Sequence, residues 1–317
     1  MPGSILITGI NGFVGTSIYN QLRDNLDITG LDISIDQKKQ KCNTYNWDEF
    51  SKLPKVDAII HLAGMAHDTR GSINGEKYFE INVGLTKNIF EYFLVSSATK
   101  FIFFSSVKAV ADTVIGPILT EDVDPDPKTP YGKSKLEAET YLMSKALLGD
   151  KRLYILRPAM IHGPGNKGNL NLLFSMVQNG VPYPLGAFIN QRSFTSINNM
   201  LFIIARILNG KIESGVYNIC DDESLSTVEI VEMIYDSLNK KRRIFNVPKS
   251  IIQMIAIIGD VFRLPLNTGR LKKMTESYVV SNDKIKEALS IESLPTASLT
   301  GMRRTIKSFT KNQNCSR

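Results

Sequence analysis

The stretch Thr129-Pro130-Tyr131-Gly132-Lys133-Ser134-Lys135 brings together a phenol and an ammonium that could share a proton-transfer site. Thr129 can cap a helix, and Pro130 suits a first turn, where no amide donor is needed. Tyr131, Lys135, Ala138 and Leu142 then recur at helical spacing and share one face. The apolar members direct that face into the protein, where an unpaired ammonium is costly. A tyrosine one turn away gives the lysine a reason, because a cation near a phenol favours the phenolate. A snorkelling lysine beside a packed tyrosine is the competing explanation, and the rest of the chain has to decide.

Chemistry at that turn needs elements to hold it. Ser4-Ile5-Leu6-Ile7-Thr8 reads as a short buried strand, followed at once by Gly9-Ile10-Asn11-Gly12-Phe13-Val14-Gly15. Val14, Ile18 and Leu22 continue with helical period. Strand, glycine-rich turn and helix form the context that binds a dinucleotide. Gly9 permits the tight turn, Gly12 lets a pyrophosphate approach the backbone, and Gly15 allows helix and strand to pack closely. The helix N-terminus offers amides and a positive dipole end to the phosphates. A second strand, Asp27 to Leu31, ends at Asp32, whose carboxylate can accept both ribose hydroxyls of an adenosine and repel a 2′-phosphate. NAD is therefore preferred over NADP, although Lys38, Lys39 and Lys41 follow closely.

Phe101-Ile102-Phe103-Phe104-Ser105-Ser106 is a continuous apolar run ending in two serines, as expected of a central parallel strand covered on both faces. Ligands of open α/β sheets bind at the carboxyl ends of strands, so these hydroxyls are placed for chemistry or for capping the next turn. The acidic loop from Glu121 to Pro127 holds four carboxylates that alternating prolines keep extended, which argues for a solvated loop and against a metal site. Leu153 to Pro158 is a further strand, and Gly163-Pro164-Gly165 breaks the chain after it.

The 317 residues suffice for one or two domains, with a hydrophobic fraction of 43% and a charged fraction of 22%, as in an ordinary soluble globular protein. Cys42, Cys220 and Cys315 lie far apart and form no CxxC pattern, which fits a reducing, cytoplasmic location. The opening Met1-Pro2-Gly3-Ser4 has no signal-peptide pattern. A net charge of +7 invites an anionic partner. Its densest cluster, Lys240-Lys241-Arg242-Arg243, reads as the end of a helix, and no nucleic-acid recognition motif accompanies it. The apolar run Ile251 to Ile258 falls short of the ~20 residues of a membrane span and predicts a buried or interface helix, with membrane-surface association as the weaker alternative.

The glycine spacing GxxGxxG, Asp32, the stretch His61-Leu62-Ala63-Gly64, and the YxxxK pair Tyr131 and Lys135 together resemble the extended short-chain dehydrogenase/reductase family acting on nucleotide sugars. The likeness runs from residue 4 to about 290. It implies an α/β fold, a doubly wound parallel (Rossmann) sheet with a smaller C-terminal substrate-binding lobe. Residues 1–165 would bind NAD, rejoined by a segment near 190–225, and residues 166–317 would mainly bind substrate. It implies Ser106, rather than Ser105, as the partner of Tyr131 and Lys135 in catalysis. Leu62, Ala63 and Gly64 would border the cofactor, His61 would be a strand residue and Asn82 a structural asparagine. Lys167-Gly168-Asn169-Leu170 and Pro182 to Gly186 resemble nucleotide-cradling segments, Arg192 the arginine that meets the diphosphate, and Arg270 a further phosphate contact. Val216 to Ile219 resembles a late strand that rejoins the first domain. Two departures stand out: Asn198-Asn199 replaces the usual acidic pair, and His162 stands where tyrosine is common.

The resemblance also implies a reaction. A free tyrosine has a pKa of about 10, and lowering it to ~7 requires ~4 kcal/mol of preference for the phenolate, for which Lys135 and the nicotinamide charge are the natural sources. Tyr131 would take the proton from a sugar O4 that Ser106 also contacts. Val107-Lys108-Ala109 stands where 4,6-dehydratases carry Asp-Glu, which disfavours dehydration. A UDP-sugar 4-epimerase, for glucose/galactose or their N-acetyl forms, is the leading reading. An NAD(P)H-dependent 4-ketoreductase of a UDP-4-keto-6-deoxy sugar for surface polysaccharides is the alternative. A non-catalytic nucleotide-binding module is a remote one. A homodimer through the helices around 76–97 and 131–148 is the family's expectation.

Overall fold

The apolar runs become strands because each is short, covered on both faces and ended by glycine, serine or proline. Strands β1 (Ser4–Thr8), β2 (Asp27–Leu31), β3 (Thr44–Tyr45), β4 (Ala58–His61), β5 (Lys100–Phe104), β6 (Arg152–Pro158) and β9 (Gly215–Ile219) form one sheet in the order β3-β2-β1-β4-β5-β6-β9. Every neighbouring pair is parallel. The computed structural model describes residues 2–33, 42–65, 75–166, 168–262 and 266–314; Lys38, Lys39, Lys41, Lys167 and Cys315 lie outside them.

Helices cover both faces of this sheet. On one face, Ile18 of α1 (Phe13–Leu22), Ile203, Ile204 and Ile207 of α5 (Ile197–Asn209) and Ile285 of α9 (Asp283–Leu289) pack against Ile5, Ile7, Ile60 and Ile102. On the other, Phe90 and Phe93 of α2 (Gly75–Val95) and Ala138 and Leu142 of α3 (Pro130–Met143) pack against Leu6, Ile59, Phe101 and Phe103. The strand order turns back between β1 and β4, which opens a crevice at the carboxyl ends of those strands. The late strand from Val216 to Ile219 pairs with β6, where it was expected to rejoin the sheet.

A second core lies beyond the sheet. Strands β7 (Met160–His162) and β8 (Phe194–Ser196) pair with each other, and α4 (Asn169–Gln178), α6 (Thr227–Ser237), α7 (Lys249–Phe262), α8 (Thr268–Thr275) and α10 (Ser298–Asn314) contribute to the apolar cluster beside them. Tyr183 and Leu185, from the segment expected to cradle a nucleotide, are buried in that cluster. The helix α7 departs from a simple buried element: it buries Ile252, Ala256 and Gly259 and leaves most of its other apolar side chains exposed.

Two departures seen in the sequence now have a structural account. Asn199 donates to the Asp221 carboxylate at 2.7 Å and to the Thr296 carbonyl at 2.8 Å, and accepts from the Thr296 amide. An acidic residue there would face Asp221 as a second buried carboxylate, so the amide is the fitting side chain. His162 is fully buried, its Nδ1 2.8 Å from the Thr305 hydroxyl and its Nε2 3.4 Å from Asp221. It ties β7 to α10.

Candidate active site

The glycine turn has the shape its residue types require. Gly9 has a φ of +70°, and a Cβ there would lie 2.9 Å from the Ala63 amide nitrogen. At Gly15 a Cβ would come within 2.5 Å of the Gly9 carbonyl oxygen, so only glycine lets α1 approach β1 this closely. Gly12 is the N-cap of α1, and no side chain caps the helix there. Asn11, Phe13 and Val14 complete the turn, and the Asn11 amide donates to the Asp32 carboxylate at 3.0 Å. Asp32 thus stands at the carboxyl end of β2 beside the turn.

A buried relay braces the next strand. The Thr8 hydroxyl lies 2.7 Å from His61 Nδ1 and accepts the amides of Leu62 and Ala63. His61 Nε2 lies 2.9 Å from the Thr86 hydroxyl. Complete burial, with a smaller effect of Lys135, pushes the imidazole down to about 3, so it is neutral and serves as a strut between β4 and α2. Among the described residues no group of His, Cys, Asp and Glu is placed to hold a metal ion. Asn82 accepts the Met65 amide at 2.7 Å, donates to the Met65 carbonyl and donates to Ser134. It clamps the segment carrying Gly64 to α3. A Cβ on Gly64 would meet Asn82 at 2.8 Å and the Lys135 ammonium at 3.3 Å.

The two serines after β5 are separated by their partners. Ser105 donates to the buried carboxylate of Glu139, which also receives the Arg157 guanidinium at 2.6 and 3.0 Å. Ser106 caps the short turn Val107–Ala109 by accepting the Lys108 amide at 3.2 Å, and its hydroxyl acts on the Tyr131 phenol by lowering its pKa. Ser105 is engaged in holding α3 to β6, and Ser106 is the serine that faces the phenol.

Helix α3 begins as its sequence dictates. Thr129 accepts the Gly132 amide at 3.2 Å and Pro130 occupies the first turn. A Cβ on Gly132 would come within 2.4 Å of the Lys108 carbonyl, so glycine seats the helix against the turn after Ser106. Lys135 is buried and donates to the Phe104 carbonyl, the last of β5, at 2.9 Å. Burial, partly offset by Glu139, pushes its ammonium down to about 8. Burial raises Tyr131, a hydrogen bond from Ser106 lowers it, and Tyr78 raises it.

The substrate-side candidates lie on the second core. Arg192 pairs its backbone with Leu225 and donates its guanidinium to the Lys273 carbonyl at 2.9 Å. Burial lowers its pKa, against raising by Glu276 and the tyrosines Tyr183 and Tyr278. Arg270 is exposed on α8, with its amide on Asn267. Asn169 is exposed at the start of α4. In the acidic loop, Asp122, Asp124 and Asp126 are exposed, as expected, but Glu121 turns inward to accept the Asn218 amide at 2.7 Å. One residue went unassigned in the sequence. Lys108, two after Ser106, sits 4.0 Å from the Tyr278 ring centre and donates to the Asp112 carbonyl. Its signal was its place at the carboxyl end of β5.

A doubly wound sheet with a glycine-lined turn, a carboxylate at the end of β2 and a Ser-Tyr-Lys set at the strand ends fits a dinucleotide-dependent oxidoreductase site. Residues 5–220 match the model of the NAD dependent epimerase/dehydratase family. The chain belongs to that family, and NAD is its cofactor. It is 30% identical to a UDP-glucose 4-epimerase of Vibrio cholerae, over 99% of this chain and 98% of the relative. It is 27% identical to an N-acetyl-alpha-D-glucosaminyl-diphospho-ditrans,octacis-undecaprenol 4-epimerase of Escherichia coli O157:H7, over 90% and 86% of the two chains. Its fold matches that of the Bordetella bronchiseptica enzyme WbmG, solved with NAD and UDP, with a TM-score of 0.74 at 17% identity over 97% and 94% of the chains. The chain is an NAD-dependent enzyme of the sugar epimerase or reductase kind.

Proposed function

We propose that this protein is an NAD-dependent 4-epimerase of a UDP-sugar, UDP-glucose/galactose or the N-acetylated pair. The observation that carries this reading is the convergence of Ser106, Tyr131 and Lys135 at the carboxyl end of β5, beside the glycine turn and Asp32. The cradle around Gly9, Gly12 and Gly15, which a Cβ would fill, fits a pyrophosphate. Asn11, Phe13 and Val14 complete it, Asp32 suits the adenosine ribose, and Leu62, Ala63 and Gly64 border the same crevice. Bound NAD would supply a hydride acceptor able to give the hydride back.

The residues then have distinct tasks. Ser106 donates to the sugar O4 and fixes its position. Tyr131, as phenolate, takes the O4 proton and returns it once the ketone is reduced. Lys135 holds the nicotinamide ribose and contributes positive charge to the site. Arg192 grips the diphosphate with its planar fork while the sugar turns over between the two half-reactions. Asp32 disfavours a 2′-phosphate and hence the exchangeable NADPH of a ketoreductase, which favours a cofactor retained and recycled. Residues 1–165 with the return near 190–225 serve the cofactor, and residues 166–317 mainly the substrate. A homodimer through α2 and α3 completes this reading, and a monomeric mass in solution would count against it.

A second substrate reading has its own observation. The Escherichia coli relative acts, by its name, on a sugar carried by an undecaprenyl diphosphate. Arg192 is held by the Lys273 carbonyl on α8, and α8 is tied to the exposed apolar helix α7 by the Thr268 amide, which donates to Asp260 at 3.2 Å. A lipid diphosphate could use the same arginine with its tail over α7. Tyr131→Phe tests the site under either reading: it should lower turnover by about 10²–10⁴-fold while bound NAD is retained. Unchanged turnover would overturn the assigned base.

A further inference from the structure

Helix α7 carries an apolar stripe that no described residue covers. Ile251, Met254, Ile255, Ile258 and Phe262 follow the spacing of one helix face, and all are exposed, Met254 by 56% and Phe262 by 70%. The adjoining face, with Ile252 and Ala256, packs into the second core. A contiguous exposed apolar face marks a protein or membrane interaction site.

Charge selects between those partners. Residues 240–275, which contain α7, hold nine Lys and Arg and one Asp, a net +8 against +7 for the whole chain, leaving −1 for everything else. Arg242 is paired with Glu232 and Asp236; Lys241, Lys272 and Lys273 are exposed. The basic run precedes α7 in the chain; Lys240 and Arg243 donate to the Gln178 and Gly180 carbonyls, and Ile244 and Val247 of the connecting stretch pack in the same core as Ile252. On the other side α8, with Arg270 and Lys272, packs against α7: a Cβ on Gly259 would run into the Leu266 carbonyl, and the Thr268 amide donates to Asp260 at 3.2 Å. A second copy of the chain would set these exposed cations against their own like across a twofold contact. An anionic lipid surface instead accepts the apolar stripe and is attracted by the flanking cations.

We propose that α7 and its basic flanks dock the protein on an anionic membrane surface, with the helix lying in the headgroup plane. The helix has 14 residues, about 21 Å at 1.5 Å per residue, too short to cross and suited to lying flat. The proposal is independent of which sugar or carrier the active site takes.

Vesicle co-sedimentation of the full chain tests it without reference to activity. Wild type should pellet with phosphatidylglycerol/phosphatidylcholine vesicles, bind pure phosphatidylcholine at least about tenfold more weakly, and be released by high salt. Met254→Glu/Ile258→Glu should lose at least about tenfold in binding with an unchanged melting temperature, and Lys241→Glu should weaken it as well. Equal partitioning of wild type and the double variant, or no binding to anionic vesicles, would overturn the proposal. So would a double variant that changes only the oligomeric mass, since the stripe would then belong to a second copy.

Discussion

Tyr131 is raised by burial in the protein alone, so this residue is a poor base until something positive joins it. Lys135 contributes positive charge, but burial pushes its own ammonium down to about 8. The positive nicotinamide ring is the second source, which predicts that Tyr131 titrates lower in NAD⁺-loaded protein than in protein stripped of cofactor. A tyrosine-specific absorbance titration of wild type against Tyr131→Phe reads this, and equal values in the two states would contradict it. The serines give a second contrast. Ser106→Ala should cut turnover by about tenfold to a thousandfold with little change in melting temperature, because one hydrogen bond to the reacting oxygen is lost. Ser105→Ala should instead destabilise the fold by about 1–3 kcal/mol, since it unpairs part of the buried Glu139 site. The spacing of Ser106 to Tyr131 was legible in the sequence; the reason for excluding Ser105 was not, because Glu139 and Arg157 meet it only through folding.

Helix α3 is the element that turns these side chains into a site. Its N-terminus is set by Thr129, Pro130 and Gly132, and its middle is fixed to β6 by the Glu139–Arg157 pair, with side-chain exposures of 0% and 5%. Glu139→Gln leaves a buried guanidinium uncompensated and should cost about 3–5 kcal/mol, read as a shifted denaturant midpoint. An unchanged midpoint would show that the pair does not anchor the helix. The strut at β4 predicts a pH effect. His61 is held at about 3 in the folded protein against 6.5 when free, so the unfolded chain binds the extra proton between those values. Its contribution is complete above about 6.5 and is lost as pH falls toward about 3, by up to about 1.4 kcal/mol per unit. A His61→Gln variant should show a flatter stability profile across that window. The helix periods, strands and caps were readable because each depends on neighbouring residues. The strut was visible only as a strand histidine, since Thr8 and Thr86 reach it from distant parts of the chain.

At the scale of the whole molecule, apolar runs and glycine punctuation marked the individual strands and the family resemblance implied the doubly wound parallel sheet, whereas the turn-back between β1 and β4 emerged only from the structure. The second core followed less completely. The Asn199–Asp221–Thr296 network and the burial of His162 depend on segments up to 143 residues apart, which no local pattern encodes. The run from Ile251 to Ile258 looked greasy enough for a core or an interface, and only packing revealed which face stays in solvent. The central claim concerns the assembled molecule, in which a retained cofactor serves both directions of one sugar oxidation. Purified protein with no added cofactor, incubated with UDP-glucose and then with UDP-N-acetylglucosamine and followed by proton NMR, tests it most directly. The account predicts growth of the 4-epimer over many turnovers with no net NADH. Inertness toward both sugars, or conversion of a UDP-4-keto-6-deoxy sugar that consumes NADH or NADPH one for one, would contradict it.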